Sequence, residues 1–245
     1  MMKYFLTVLT AVFLAGAVSA DAPDKAIVDA ISKRLHKPQM GLKVSSVKHS
    51  SIPSLYEVGF ANGLVVFATA TGGHFIAGDM FAVQGDELSN LSELRREAER
   101  RQVLAGIPQQ EMIVYPAKGV KKASITVFTD VTCGYCRKLH REVPALNANG
   151  VEVRYLAWPR GGMRSEGYRL LTTAWCADDA PATLTKLKNR EQVTPEVCEG
   201  NPVQRQFEIG RGMGVNATPT IILGNGKMIP GYLSAEQLLK ELGIS

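Results

Sequence analysis

No block of like charge, no internal repeat, no low-complexity tract and, after residue 20, no long apolar run occurs in this 245-residue chain. Each absence removes a class of protein. Lys and Arg number 28 against 23 Asp and Glu, so a net charge of +5 is spread thinly. The densest cluster, Arg95-Arg96-Glu97-Ala98-Glu99-Arg100-Arg101, interleaves both signs. It reads as the solvated face of a helix, and no nucleic-acid partner is expected. A 45% hydrophobic fraction is enough for proper cores and excludes disorder, collagen-like repeats and a coiled-coil rod.

The single long apolar run opens the chain. Lys3, the stretch from Tyr4 to Val18, and Val18-Ser19-Ala20 supply the basic start, hydrophobic segment and small-residue cleavage site of a secretory signal peptide. Cleavage is expected after Ala20. A membrane anchor fits less well, because the run is short for a span and no positive cluster follows it. The mature chain is therefore expected to be exported and soluble, in a compartment where disulfides persist.

In the mature chain, Ile27, Val28, Ile31 and Leu35 fall at helical spacing, with Pro38 as the stop. From residue 42 to 84 the pattern turns to short β-type runs: Lys43–Val47, Leu55–Phe60, Leu64–Ala70, His74–Ala77 and Met80–Val83. Asn62-Gly63 and Gly72-Gly73 separate runs as turn dipeptides needing positive φ. Between Glu57 and Asp86 the only charged side chain is Asp79. Strands there lack the lysines that guard exposed edges, which points to an edge paired with a partner. Residues 86–105 read as a helix with Leu88, Leu91, Leu94 and Ala98 on one side. Asn90 and Glu93 form a candidate capping box, and Gly106 and Pro108 follow the helix end. This helix is expected to be a stiff spacer between two domains.

Beyond it lie a buried strand (Ser124–Thr129), Cys133-Gly134-Tyr135-Cys136 opening a helix, a second strand (Val151–Trp158), helical segments at 167–189 and 203–213, two short strands (Thr220–Leu223 and Lys227–Ile229) and a last helix from Ser234 to Leu242. A β-α-β, helical, β-β-α order with CxxC at the first strand-to-helix junction predicts a thioredoxin-type fold.

The four cysteines form two pairs of different character. At a helix N-terminus, unpaired N–H groups and the helix dipole favour an anion, so the Cys133 thiolate is expected to be stabilised. Arg137 and Lys138 add positive potential one turn in. Cys136, two residues on, is placed to attack the first sulfur of a mixed disulfide. Zinc on Cys133, Cys136 and His140 lacks a fourth ligand at metal spacing, and His140 reads as an exposed helical residue. A static bridge across a first helical turn would be strained. Cys176 and Cys198 have no motif at either end and read as a structural bridge between two helices; a second redox pair is the alternative. Asp130 reads as a turn residue rather than a proton carrier.

Phe128-Thr129-Asp130-Val131-Thr132-Cys133-Gly134-Tyr135-Cys136-Arg137-Lys138-Leu139-His140 resembles the signature of the periplasmic disulfide isomerase family of the DsbC type. So do Ala174-Trp175-Cys176-Ala177, Thr218-Pro219 and Pro230-Gly231-Tyr232. The resemblance covers essentially the whole mature chain. It implies a V-shaped homodimer with an α+β N-terminal dimerisation domain (a cystatin-like sheet plus helix, 21–85), a linker helix (86–107), and an α/β thioredoxin-like domain (108–245) with a helical insertion at about 160–213. It further implies Cys133 as nucleophile, Cys136 as resolving thiol, Cys176–Cys198 as structural disulfide, and Pro219 as a cis-proline beside the active site. Gly134, Tyr135, Thr218 and Pro219 would form the substrate-binding surface. Expected partners are misoxidised secreted proteins and a membrane reductase of the DsbD type, with no cofactor and no metal. The Gly134-Tyr135 dipeptide argues against a DsbG-like reductase of single oxidised cysteines, for which proline would follow the first cysteine. An extra N-terminal unit argues against a monomeric DsbA-like oxidant. A holdase chaperone is the remaining alternative and is compatible with isomerase activity.

Overall fold

A computed structural model describes residues 22–244; the expected leader and its cleavage site lie outside the described residues. The described residues divide into two compact units, one ending at Gly78 and the other beginning at Asp79.

In the first unit, α1 (Lys25–Leu35) is capped by the Asp24 side chain, which accepts from the Ala26 N–H. It packs on an antiparallel sheet of four strands in sequence order: β1 (Val44–His49), β2 (Leu55–Phe60), β3 (Val65–Thr69) and β4 (Phe75–Ile76). Period-2 alternation puts Tyr56, Val58 and Phe60 on one face, where they meet Ile31 and Leu35 of the helix together with Val66 and Ala68. Gly63 takes the positive φ expected of it, at 85°. In the Gly72-Gly73 pair, Gly72 holds the positive φ, at 64°, and Gly73 does not. The turn needs glycine there for space as well, because a Cβ on Gly72 would stand 3.0 Å from the Ile31 Cα.

The second unit begins with a hairpin whose first strand matches the expected Met80–Val83 run and whose second lies where helix was expected. β5 (Phe81–Gln84) and β6 (Glu87–Asn90) pair antiparallel around Gly85, whose φ is 60°. α2 therefore spans Leu91–Ala105 rather than starting at Asp86. Asn90 caps it by accepting from the Glu93 N–H at 2.9 Å. The reciprocal half of the expected capping box is missing, since the Glu93 carboxylate binds Arg96 at 2.6 Å and Arg100 at 2.7 Å.

Nor is the mixed-charge cluster simply a solvated face. Arg100 is buried and donates to the Gly226 carbonyl at 3.1 Å. Arg96 holds both oxygens of Asp79, at 2.8 and 2.9 Å. A Cβ on Gly226 would overlap the Glu97 carbonyl, so α2 lies directly on this turn.

The main sheet has the order β11-β10-β8-β9-β7, with β7 (Ile113–Tyr115), β8 (Ala123–Thr129), β9 (Val151–Ala157), β10 (Thr220–Leu223) and β11 (Met228–Pro230). β8 and β9 are parallel and are linked by α3 (Gly134–Ala148); the remaining pairs are antiparallel. Val127, Tyr155 and Ile221 face α3 and the insertion helices α4 (Glu166–Cys176) and α5 (Ala180–Lys188). Their chain neighbours Phe128, Leu156 and Ile222 face the other way, toward Trp158, Ile107 and partly buried residues of α6 (Val203–Gly212). The last helix, α7 (Ala235–Glu241), has a full capping box between Ser234 and Gln237. The β7 edge strand escaped the sequence reading because three residues are too few to show a period.

Cys176 and Cys198 are bonded, with Cα atoms 5.5 Å apart. Cys176 ends α4, but Cys198 lies in the irregular segment before α6, so the bridge ties a helix to a loop rather than to another helix. It closes a sequence separation of 22 residues. On chain entropy, replacing both cysteines by Ala should cost about 3 kcal/mol, read as a lower urea midpoint.

Candidate active site

β8 runs into the site at Thr129 and ends in a turn built by Asp130. One carboxylate oxygen of Asp130 accepts from the backbone N–H and the hydroxyl of Thr132, both at 2.7 Å. The other accepts from the Arg160 N–H at 2.8 Å. Asp130 is buried and fully engaged, which is the turn role read for it. A Cβ on Gly167 would stand 2.9 Å from this carboxylate, so glycine lets α4 approach.

The turn sets Cys133 as the N-cap of α3. Its Sγ accepts from the Cys136 N–H at 3.4 Å and lies 3.3 Å from the Thr218 carbonyl oxygen. The Thr218–Pro219 peptide is cis. Both cysteines are free, and Cys133 is only 2% exposed. The Cys136 thiol beside it holds the Cys133 thiol down at about 5; burial opposes this, and the Arg160 charge assists. Cys136 moves the other way. Burial pushes it well above the ordinary thiol range, with the Cys133 charge adding to the rise. One proton is thus shared unequally, with the anion on Cys133.

Arg137 and Lys138 were read as the local cations. Instead Arg137 donates to the Val131 carbonyl at 2.9 Å, and the Lys138 ammonium stands 4.3 Å from the centre of the Tyr232 ring. Arg160, just after β9, is the cation that acts on Cys133, and the sequence reading missed it. Tyr135 is exposed and stacks on Tyr232 with ring centroids 6.4 Å apart. A Cβ on Gly134 would meet only the Arg137 guanidinium, at 3.9 Å, so packing does not demand glycine there. Cys133, Cys136 and Thr218 are brought together in the structure. Cys176 and Cys198 form their separate bridge.

His140 is not exposed. It is 6% accessible, with Nδ1 3.1 Å from the Tyr155 hydroxyl and Nε2 3.1 Å from the Thr185 hydroxyl. Burial, with the Lys188 charge, holds the imidazole down at about 4 from an ordinary 6.5. Because the unfolded chain binds the proton more readily, stability from this group is present above pH 6.5 and is lost as pH falls through 4. The difference amounts to about 3 kcal/mol. In urea unfolding, His140→Asn should show a smaller acid loss than the wild-type chain by roughly that amount; parallel pH curves would refute it.

Two family models match: a thioredoxin-like domain over residues 108–243 and a disulfide bond isomerase protein N-terminal domain over residues 18–93. The thiol:disulfide interchange protein DsbC of Salmonella typhimurium is 35% identical over 240 residues, covering 97% of this chain and 94% of that protein. DsbC of Escherichia coli K12 is 33% identical over 219 residues, covering 89% and 87%. Among solved structures, a disulfide interchange protein from Neisseria gonorrhoeae superposes with a TM-score of 0.50 at 26% identity, over 56% of this chain and 96% of that one. The catalytic domain of Proteus mirabilis ScsC, at 15% identity and a TM-score of 0.51, covers 61% of this chain and 96% of its own and shares the fold alone. The chain belongs to the DsbC family of thiol:disulfide interchange proteins, enzymes of the disulfide oxidoreductase and isomerase class.

Proposed function

We propose that the chain is a periplasmic disulfide isomerase, exported by a leader cleaved after Ala20 and working as a homodimer. The observation that carries this reading is the unequal thiol pair: an N-cap Cys133 held as thiolate, with a protonated Cys136 at its side. The Cys133 thiolate attacks a wrong disulfide and forms a mixed disulfide, releasing one substrate sulfur as thiolate. A substrate thiolate then displaces Cys133 in the correct pairing, or Cys136 displaces the substrate and leaves it reduced. A reductase of the DsbD type in the membrane returns the pair to the dithiol.

Substrate enters beside Gly134 and Tyr135 and runs along Thr218-Pro219. Pro219 has no N–H, and the Thr218 carbonyl faces the sulfur, which suits pairing with an extended segment. Glycine at 134 leaves this approach open. Chaperone binding of unfolded chains accompanies the chemistry, supported by the exposed apolar side chains of Phe81, Val83 and Leu88.

Refolding of a scrambled multi-disulfide protein tests the reading. The wild-type chain should restore native pairing without net consumption of oxidant. Substituting Ala for both Cys133 and Cys136 should leave suppression of aggregation and remove reshuffling. Reshuffling by the doubly substituted chain would sink the assignment.

A further inference from the structure

One buried ionisable group has no part in the chemistry above. Lys188, the last residue of α5, is 3% exposed. Its ammonium donates to the Thr129 hydroxyl at 2.6 Å and to the Asp130 carbonyl at 3.4 Å, and stands 5.5 Å from the centre of the Tyr155 ring. Among the described residues no carboxylate lies within ion-pair distance of it. The Asp130 carboxylate, the acid nearest in sequence to its partners, is occupied by Thr132 and the Arg160 N–H. A buried cation that feels Asp130 only through space, with no direct ion pair, is costly, so a role that needs the charge is indicated.

Cys136 Sγ receives the Asp130 N–H at 3.5 Å, while the Asp130 carbonyl receives the Lys188 ammonium. Thiol and ammonium thus flank one residue. We propose that Lys188 is a positioning residue for the resolving half-reaction. Its ammonium is the counter-charge of the Cys136 thiolate and sets how often a mixed disulfide ends in reductive release rather than isomerisation. This rests on the roles proposed above for the two cysteines.

The step runs as follows. With Cys133 Sγ bonded to a substrate sulfur, its own charge is gone, and Cys136 gives its proton to water. The Cys136 thiolate attacks Cys133 Sγ; the Cys133–Cys136 bond forms and the Cys133–substrate bond breaks. The substrate sulfur leaves as thiolate and is protonated from water. Two electrons pass to the substrate, and the cysteine pair is oxidised by two.

Lys188 is faced by Thr129 and Asp130 at the end of β8, by Cys133, Cys136, Arg137 and His140 of α3, and by Tyr155 of β9. Burial brings its ammonium down to about 8, which leaves it mainly charged at neutral pH; Cys136, Asp130 and Cys133 oppose that fall. Its charge is the first influence after burial and the partner thiol to bear on Cys136, while Cys133, which also feels Lys188, has Arg160 as a further cation.

The test uses the full-length chain loaded at Cys133 with a chromophoric peptide thiol, and follows peptide release by Cys136 from pH 5 to 9. Lys188→Gln keeps a donor for Thr129 without the charge, and Lys188→Arg keeps the charge. In the Gln variant release at pH 7 should slow about tenfold and its pH profile should move up by about one pH unit, with recovery in the Arg variant. Formation of the mixed disulfide should slow less than release does, since Arg160 also serves that step. Normal loading with an unmoved release profile overturns this inference alone. Failure of Cys133 to load at all overturns the cysteine roles and the inference with them.

Should the Gln variant not fold, the unsubstituted chain decides. With Cys133 capped by alkylation, so that Cys136 is the titrating thiol, the Lys188 side-chain nitrogen, followed by NMR, should titrate at higher pH than in the disulfide form, because the coupling is reciprocal. Equal titration in the two forms overturns the proposal.

Discussion

Cys133→Ser should reduce disulfide reshuffling to the uncatalysed level, whereas Cys136→Ser should still attack substrate and should accumulate mixed disulfides with it. The asymmetry follows from position. Cys133 caps α3 and receives the Cys136 N–H, while Cys136 sits inside the first turn with its sulfur against the Asp130 N–H. A serine hydroxyl at 133 is not ionised at neutral pH and is not a nucleophile there. At 136 serine removes only the second attack, so the first covalent complex persists.

Alkylation against pH reads the same asymmetry without mutation. Cys133, held at about 5, should reach half-maximal reactivity near pH 5, and Cys136 should stay unreactive through neutral pH. Reaction of Cys136 first at pH 6 would reverse the roles. The sign also bears on redox poise. A thiolate whose folded value lies below its unfolded one stabilises the dithiol form, fully above the ordinary thiol range and less as pH falls through 5. The pair should thus be a better oxidant than an unperturbed dithiol, and increasingly so as pH rises from 5 toward neutrality.

The parts of this site that were legible from sequence are those with local causes. CxxC at a strand-to-helix junction is a local pattern, and so is the Asn90 cap three residues before Glu93. The alternation Tyr56, Val58, Phe60 marks its sheet face without reference to any other segment. What escaped the reading depends on contacts between distant residues. His140 reads as exposed because a histidine in a helix carries no sign of the two hydroxyls, Tyr155 and Thr185, that satisfy it when buried.

Lys188 ends a helix among polar residues, where a lysine ordinarily reaches water; only the approach of Thr129 and Asp130 makes it a core residue. Arg160 matters because its chain returns beside Asp130 after β9, a fact of topology. The second strand of the hairpin, β6, reads as helix because Leu88, Leu91 and Leu94 also fit helical spacing. The Gly85 turn outweighs that periodicity.

Charging the β4 edge should separate the proposed dimer and remove isomerisation while leaving Cys133 reactive. β4 is the last strand of its sheet, paired on one side only, through Phe67↔Ile76 and Ala68↔Phe75. Phe75 is 54% exposed and Ile76 is 63% exposed. The single charge in this part of the chain, Asp79, is already held by Arg96 and Asn90. From residue 58 to 78 the chain carries no Asp, Glu, Lys or Arg, so β4 has no charge of its own, and an unguarded apolar edge needs a partner. The DsbC-type N-terminal domain matched over residues 18–93 makes a second copy of this chain the natural one.

With Ile76→Lys, a symmetric interface must bury the new ammonium twice. At about 2–3 kcal/mol for each, after the side chain finds what water it can, the dimer loses about 4–6 kcal/mol. At 1.4 kcal/mol per tenfold, that weakens association by about three to four orders of magnitude. Sedimentation at micromolar concentration should then give the mass of one chain for the variant and of two for the wild type. Reshuffling of a scrambled substrate should collapse in the variant, because a single catalytic unit has no facing partner to hold an unfolded chain. Alkylation of Cys133 at pH 6 should keep its wild-type rate, which separates loss of assembly from loss of fold. Two-chain mass in both proteins would place the dimer contact elsewhere; one-chain mass in both would remove the homodimer from the proposed function.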